Sequence, residues 1–96
     1  MAEETRQRLE MLLVMQWLDE GASDGGELAL SVSTAAAELG LEAGRSGLLA
    51  VMAALGELEE RRLVDVAWPT GSGGREARVT LSAELRRDAR RLFGRT

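Results

Sequence analysis

The chain has 96 residues, of which 45% are apolar and 29% are charged, and these proportions predict one folded domain over residues 1–96. It contains no cysteine and no histidine, and all twelve of its basic residues are arginines. These absences exclude a disulfide framework, a thiolate or imidazole metal site, the usual general base and a lysine Schiff base. We therefore expect a protein that is not an enzyme and that needs no cofactor.

The apolar runs over residues 11–15 and 48–55 are too short for the core of a signal peptide or for a membrane span. The sequence therefore predicts no membrane contact and a cytoplasmic location.

The first predicted helix covers residues 3–20, and its apolar residues fall on two opposite stripes at about 100° per residue. One stripe consists of Leu9, Leu12, Leu13 and Trp17, and the other of Met11, Val14, Met15 and Leu18. A chain this short has little other material to cover a second stripe. The second stripe is therefore either enclosed within the domain or forms the interface of a homodimer.

The segment 21–26 (GASDGG) predicts a loop, and the alternating residues 27–32 predict a short strand. Ser33 is a suitable N-cap for a helix over residues 34–39, which Gly40 would end. A longer helix begins between Glu42 and Ser46 and extends to residue 62. Its core-facing residues are predicted from their spacing to be Leu48, Val51, Leu55 and Leu58.

The last third of the chain predicts a hairpin and a helix. Strands over residues 63–68 and 76–82 flank a glycine-rich tip, and the return strand turns Ala77, Val79 and Leu81 inward. An amphipathic helix follows over residues 83–93. The predicted order is therefore α-β-α-α-β-β-α, in a mostly helical α+β fold.

Three segments in this order resemble the winged helix-turn-helix domains of MarR- and PadR-like transcriptional regulators. They are STAAAELGL (33–41), ALGELEERRLV (54–64) and VTLSAEL (79–85), and the resemblance covers roughly residues 27–85. It implies a winged helix with a three-stranded antiparallel wing sheet, a helix-turn-helix core over residues 33–62 and a wing over residues 63–82. It also implies binding to duplex DNA, commonly by a dimer held through the terminal helices.

The chain departs from this pattern between Gly40 and Arg62, because this interval is several residues longer than in such domains. The turn or the start of the long helix must therefore differ. The predicted outward face of this helix contains none of the Arg, Lys, Asn and Gln side chains that read base edges most often. That face consists of Ser46, Leu49, Ala50, Ala53, Gly56, Glu57 and Glu60. An alternative function follows, in which Leu49, Ala50, Ala53 and Gly56 form a patch that binds another protein.

Charge is divided unevenly between the two parts of the chain. The net charge is −4, with five arginines and thirteen acidic residues in residues 1–65 but seven arginines and three acidic residues in residues 66–96. A local basic surface can bind nucleic acid even on an acidic protein. The residues predicted to contact DNA are Ser33, Thr34, Arg45, Ser46, Arg75 and Arg78.

Overall fold

The computed structural model describes residues 2–42, 44–69 and 75–93. Within those ranges it contains four helices and a three-stranded antiparallel sheet, which confirms the predicted α+β class and the predicted order of elements. The elements are α1 (Ala2–Asp19), β1 (Glu27–Ser31), α2 (Val32–Glu38), α3 (Arg45–Glu60), β2 (Val64–Ala67), β3 (Glu76–Leu81) and α4 (Ala83–Phe93).

The sheet has the strand order β1-β3-β2, so the last strand lies between the other two. Val79 at its centre pairs with Leu28 on one side and with Val66 on the other. Because side chains alternate along a strand, one face of the sheet is apolar and packs on the helices. The predicted inward residues of β3 are confirmed, since Ala77, Val79 and Leu81 are all buried.

Helix α1 lies across the core and buries Leu9, Leu13 and Trp17. The Trp17 indole also donates a hydrogen bond to the carbonyl of Ser23, at 3.0 Å. Val14 of the second stripe is only 4% exposed and belongs to the core, so at this residue the stripe is enclosed within the domain and the predicted dimer contact is wrong. Val14 is buried because α4, which contributes Leu85 and Ala89 to the core, covers that side of α1.

The boundary between β1 and α2 differs from the prediction. Ser31, not Ser33, is the N-cap of α2, and its hydroxyl accepts a hydrogen bond from the backbone N–H of Thr34. Ser31 keeps the extended backbone of β1, whereas Val32 is already helical and fully buried. The helix therefore begins two residues earlier than expected, and Ser33 lies exposed in its first turn.

Helices α1, α2 and α3 end in the same way, with a residue of positive φ just past the C-cap. These residues are Gly21, Gly40 and Arg62, at φ of 101°, 72° and 61°. In each case the two residues after the C-cap donate backbone hydrogen bonds to carbonyls of the last helical turn, as in a Schellman motif. Of these three residues Arg62 is the one with a Cβ atom, so its backbone adopts a conformation that favours glycine.

We expect Arg62→Gly to stabilise the protein by up to about 1 kcal/mol, because it relieves the cost of a left-handed residue with a Cβ atom. Arg62 is exposed, so little packing is lost. Urea denaturation followed by circular dichroism measures the change. Arg61→Gly is the matched control, because Arg61 has φ of −81° and glycine there only adds backbone freedom. Equal effects of the two changes would contradict the prediction.

The long helix α3 begins at Arg45, inside the predicted window. Its first turn packs tightly on the connection from α2, because a Cβ atom at Gly47 would lie 2.0 Å from the carbonyl oxygen of Glu42. Glycine at this position therefore permits the short connection between the two helices.

Helix α4 is held to the loop after α1 by arginines. Arg86 donates hydrogen bonds to the carbonyls of Leu81 and Asp24, and the Arg90 guanidinium lies 5.3 Å from the centre of the Trp17 ring. Ser82 caps the helix by accepting a hydrogen bond from the N–H of Leu85. In the described ranges, no helix is both long and apolar enough to cross a membrane.

Candidate nucleic-acid interface

The start of α3 lies beside α2, and the two helices line a common cavity. Ser33 of α2 lines a shallow cavity of about 150 Å³ together with Gly44 and Leu48. Gly44 directly precedes Arg45 and Ser46, which form the exposed start of α3. The structure therefore brings together predicted contact residues from two helices.

Arg75 lies close to the start of α2 because β3 begins next to that helix. Its carbonyl oxygen accepts a hydrogen bond from the N–H of Val32, at 2.9 Å. Ser33 and Thr34 follow Val32 in the chain, and their side chains are exposed, like that of Arg75. Arg75 is therefore a neighbour of Ser33 and Thr34, and the cavity beside Ser33 connects this group to the start of α3.

Arg78, the last of the six predicted contact residues, lies elsewhere. It projects from the outer face of the sheet and pairs with Glu27 of the neighbouring strand at 3.3 Å. Because side chains alternate along a strand, Glu76 of β3 and Asp65 of β2 lie on the same outer face of the sheet as Arg78. Arg78 therefore has an acidic neighbourhood, which makes it a weaker candidate for a phosphate contact than Arg75.

The exposed face of α3 differs in part from the predicted one. Leu49 is 53% exposed, as predicted. Met52 is 37% exposed and is an additional member of this face that the sequence analysis does not predict. Its helical position could have identified it, because Met52 precedes the exposed Glu59 by two turns.

Two predicted members of the outward face turn toward α1 instead. Ala50 and Glu57 are half-buried and line a small cavity with Thr5 of α1. Glu57 also lies 4.0 Å from the guanidinium of Arg6, a side chain that is itself only 8% exposed. The predicted patch is therefore reduced to Leu49, Ala53 and the half-buried Gly56, with Met52 added.

Acidic residues lie at the far end of α3 from its basic start. Glu59 and Glu60 follow Arg45 by about four turns, which corresponds to roughly 20 Å along a helix. They therefore need not contact a ligand bound at the start of the helix.

The predicted homodimer stripe is split by the fold. Met11 and Met15 are 48% and 44% exposed, whereas Leu18 is half-buried and Val14 is buried. Met11 borders a groove between α1 and α4, and Met15 borders a second groove between α1 and α2. The homodimer itself stays a prediction, now with Met11 and Met15 as its exposed residues.

Comparison with protein-family models, with curated proteins and with solved structures found no match. The residues that the structure describes contain no group of three or more carboxylates placed to hold a metal ion.

Proposed function

We propose that this chain is a winged-helix transcriptional regulator that binds duplex DNA mainly through phosphate contacts. The observation that carries the proposal is the convergence of exposed hydroxyl and guanidinium groups at the end where α2 and α3 begin. The converging residues are Ser33, Thr34, Arg45, Ser46 and Arg75. The strand order β1-β3-β2 and the adjacent α2 and α3 also support a winged helix.

The start of α3 would enter the major groove, because in helix-turn-helix proteins the first residues of the second helix contact base edges. Leu49 supplies an apolar contact for a thymine methyl group, whereas Arg45, at the N-terminus of α3, contacts phosphate. No Arg, Lys, Asn or Gln side chain follows Arg45 within α3. Affinity therefore depends mainly on phosphate contacts, and discrimination between sequences is weak.

A fluorescence-anisotropy titration with a random duplex, at low and at high salt, tests the proposal. We expect binding at low salt that weakens steeply as salt is added, because phosphate contacts release counterions. Absence of binding at low salt would refute the proposed function.

A second function, docking of another protein on α3, is favoured by the exposure of Leu49 and Met52. Ala53→Gln separates the two functions, because Ala53 is exposed one turn after Leu49 on the same face of α3. We expect Ala53→Gln to leave DNA affinity within about twofold, since it removes no phosphate contact. It should instead abolish close helix packing if a protein docks there. The control is Ala83→Gln at the exposed start of α4, which lies outside both α3 and the cavity beside Ser33.

A further inference from the structure

A stripe of four exposed residues and one half-buried glycine runs along α3 at alternating spacings of four and three residues. Its members are Arg45, Leu49, Met52, Gly56 and Glu59. This is the spacing of the contact positions in a coiled coil, where one helix packs along another. The two large apolar members, Leu49 and Met52, remain 53% and 37% exposed, so the described part of the chain does not cover the stripe.

The large and small side chains of the stripe are arranged so that two antiparallel copies fit each other. If two α3 helices run antiparallel with Met52 on the two-fold axis, Leu49 of one copy lies opposite the region of Gly56 in the other. A Cβ atom at Gly56 would meet nothing within 4 Å, so space beside this glycine is open to an incoming side chain. The large residue of each copy therefore meets the small residue of the other.

The charges on the stripe are also self-complementary. Arg45 stands at one end of α3, and Glu59 and Glu60 stand at the other. In the antiparallel arrangement each Arg45 approaches the acidic end of the second copy, and the contact occurs twice. Within the described residues neither Arg45 nor Glu60 has an ion-pair partner, so both are available for this contact.

We propose that two copies of this chain associate through antiparallel pairing of their α3 helices. The occupant of the apolar stripe is thus a second α3 helix, with Met52 at the two-fold axis and Arg45 facing Glu59 and Glu60. This pairing goes beyond the proposed DNA binding and does not depend on it. The paired helices cover Leu49 and the start of α3. The dimer and a DNA duplex would therefore compete for the same face of α3.

Sedimentation equilibrium of the full chain tests the pairing. We expect a reversible dimer in the wild type, and we expect Leu49→Asp and Arg45→Glu each to weaken it at least tenfold. The double variant Arg45→Glu with Glu60→Arg should restore most of the association, because each contact then pairs opposite charges again. All three positions are exposed, and circular dichroism verifies that each variant is folded.

Met15→Asp on α1 is the matched control, because Met15 is also an exposed methionine but lies outside the stripe. This variant separates pairing through α3 from the alternative homodimer through Met11 and Met15 of α1. It should leave the dimer intact. A monomer at high micromolar concentration, or a dimer that Met15→Asp dissociates and Leu49→Asp does not, would overturn the proposal.

A cross-linking experiment gives an independent readout. The chain has no cysteine, so Met52→Cys introduces a single thiol at the proposed axis. Mild oxidation should convert this variant to a covalent dimer much faster than Ala37→Cys, which places an exposed thiol on α2. Equal rates for the two variants would contradict the antiparallel register. If DNA binding is absent but cross-linking occurs, the pairing stands and only the proposed function fails.

Discussion

Replacing Arg45 and Arg75 together by alanine is expected to weaken binding to duplex DNA by about 100-fold at low salt, roughly tenfold for each charged contact. Both side chains are exposed at the end where α2 and α3 begin. Each lost phosphate contact should also flatten the plot of log affinity against log salt by about 0.9, so the double variant should lose about 1.8 units of slope per protomer. Anisotropy titrations over a series of salt concentrations measure both quantities.

The matched control is Arg87→Ala with Arg91→Ala on α4, which removes the same charge from exposed positions outside the proposed interface. It should change the salt slope by much less than the first double variant. Arg78→Ala should also have a small effect, because Arg78 already pairs with Glu27. If the Arg45 and Arg75 double variant keeps its affinity and slope, DNA is not bound through this end of the molecule.

The second large effect is expected for Gly47→Ala, which should destabilise the protein by about 2–3 kcal/mol. The added methyl group would lie 2.0 Å from the carbonyl oxygen of Glu42, so the connection between α2 and α3 must move. For a chain of this size, the loss should lower the melting temperature by roughly 10 °C or more. Thermal denaturation followed by circular dichroism measures the change.

Gly56→Ala provides the comparison within the same helix. A Cβ atom at Gly56 meets nothing within 4 Å, and alanine is the better helix former by about 1 kcal/mol. We therefore expect Gly56→Ala to stabilise the monomer, measured at a concentration low enough to avoid association. Destabilisation by both changes would show that glycine is needed along α3 for a reason other than the contact with Glu42.

The sequence alone determined the order of the elements, because each depends on local patterns. Alternation predicted the buried side of β3, and the apolar spacing predicted that Val51, Leu55 and Leu58 face the core. Glycine marked the ends of α1 and α2, since a left-handed residue there favours glycine. The predicted DNA-contact residues Ser33, Thr34 and Arg75 do lie close together, although their role stays a prediction.

The tertiary structure decided which of several possible faces is covered. The helical period allows Val14 to lie on an exposed stripe, but in the structure it is buried beside α4. The same period predicts that Glu57 faces outward, but its carboxylate lies near Arg6 of α1. Arg78 pairs with Glu27, which is distant in the chain and adjacent only across the sheet. Helical and strand periods fix the relative directions of side chains within one element. Which direction becomes the interior depends on the element packed against it, and that neighbour is set by contacts between distant parts of the chain.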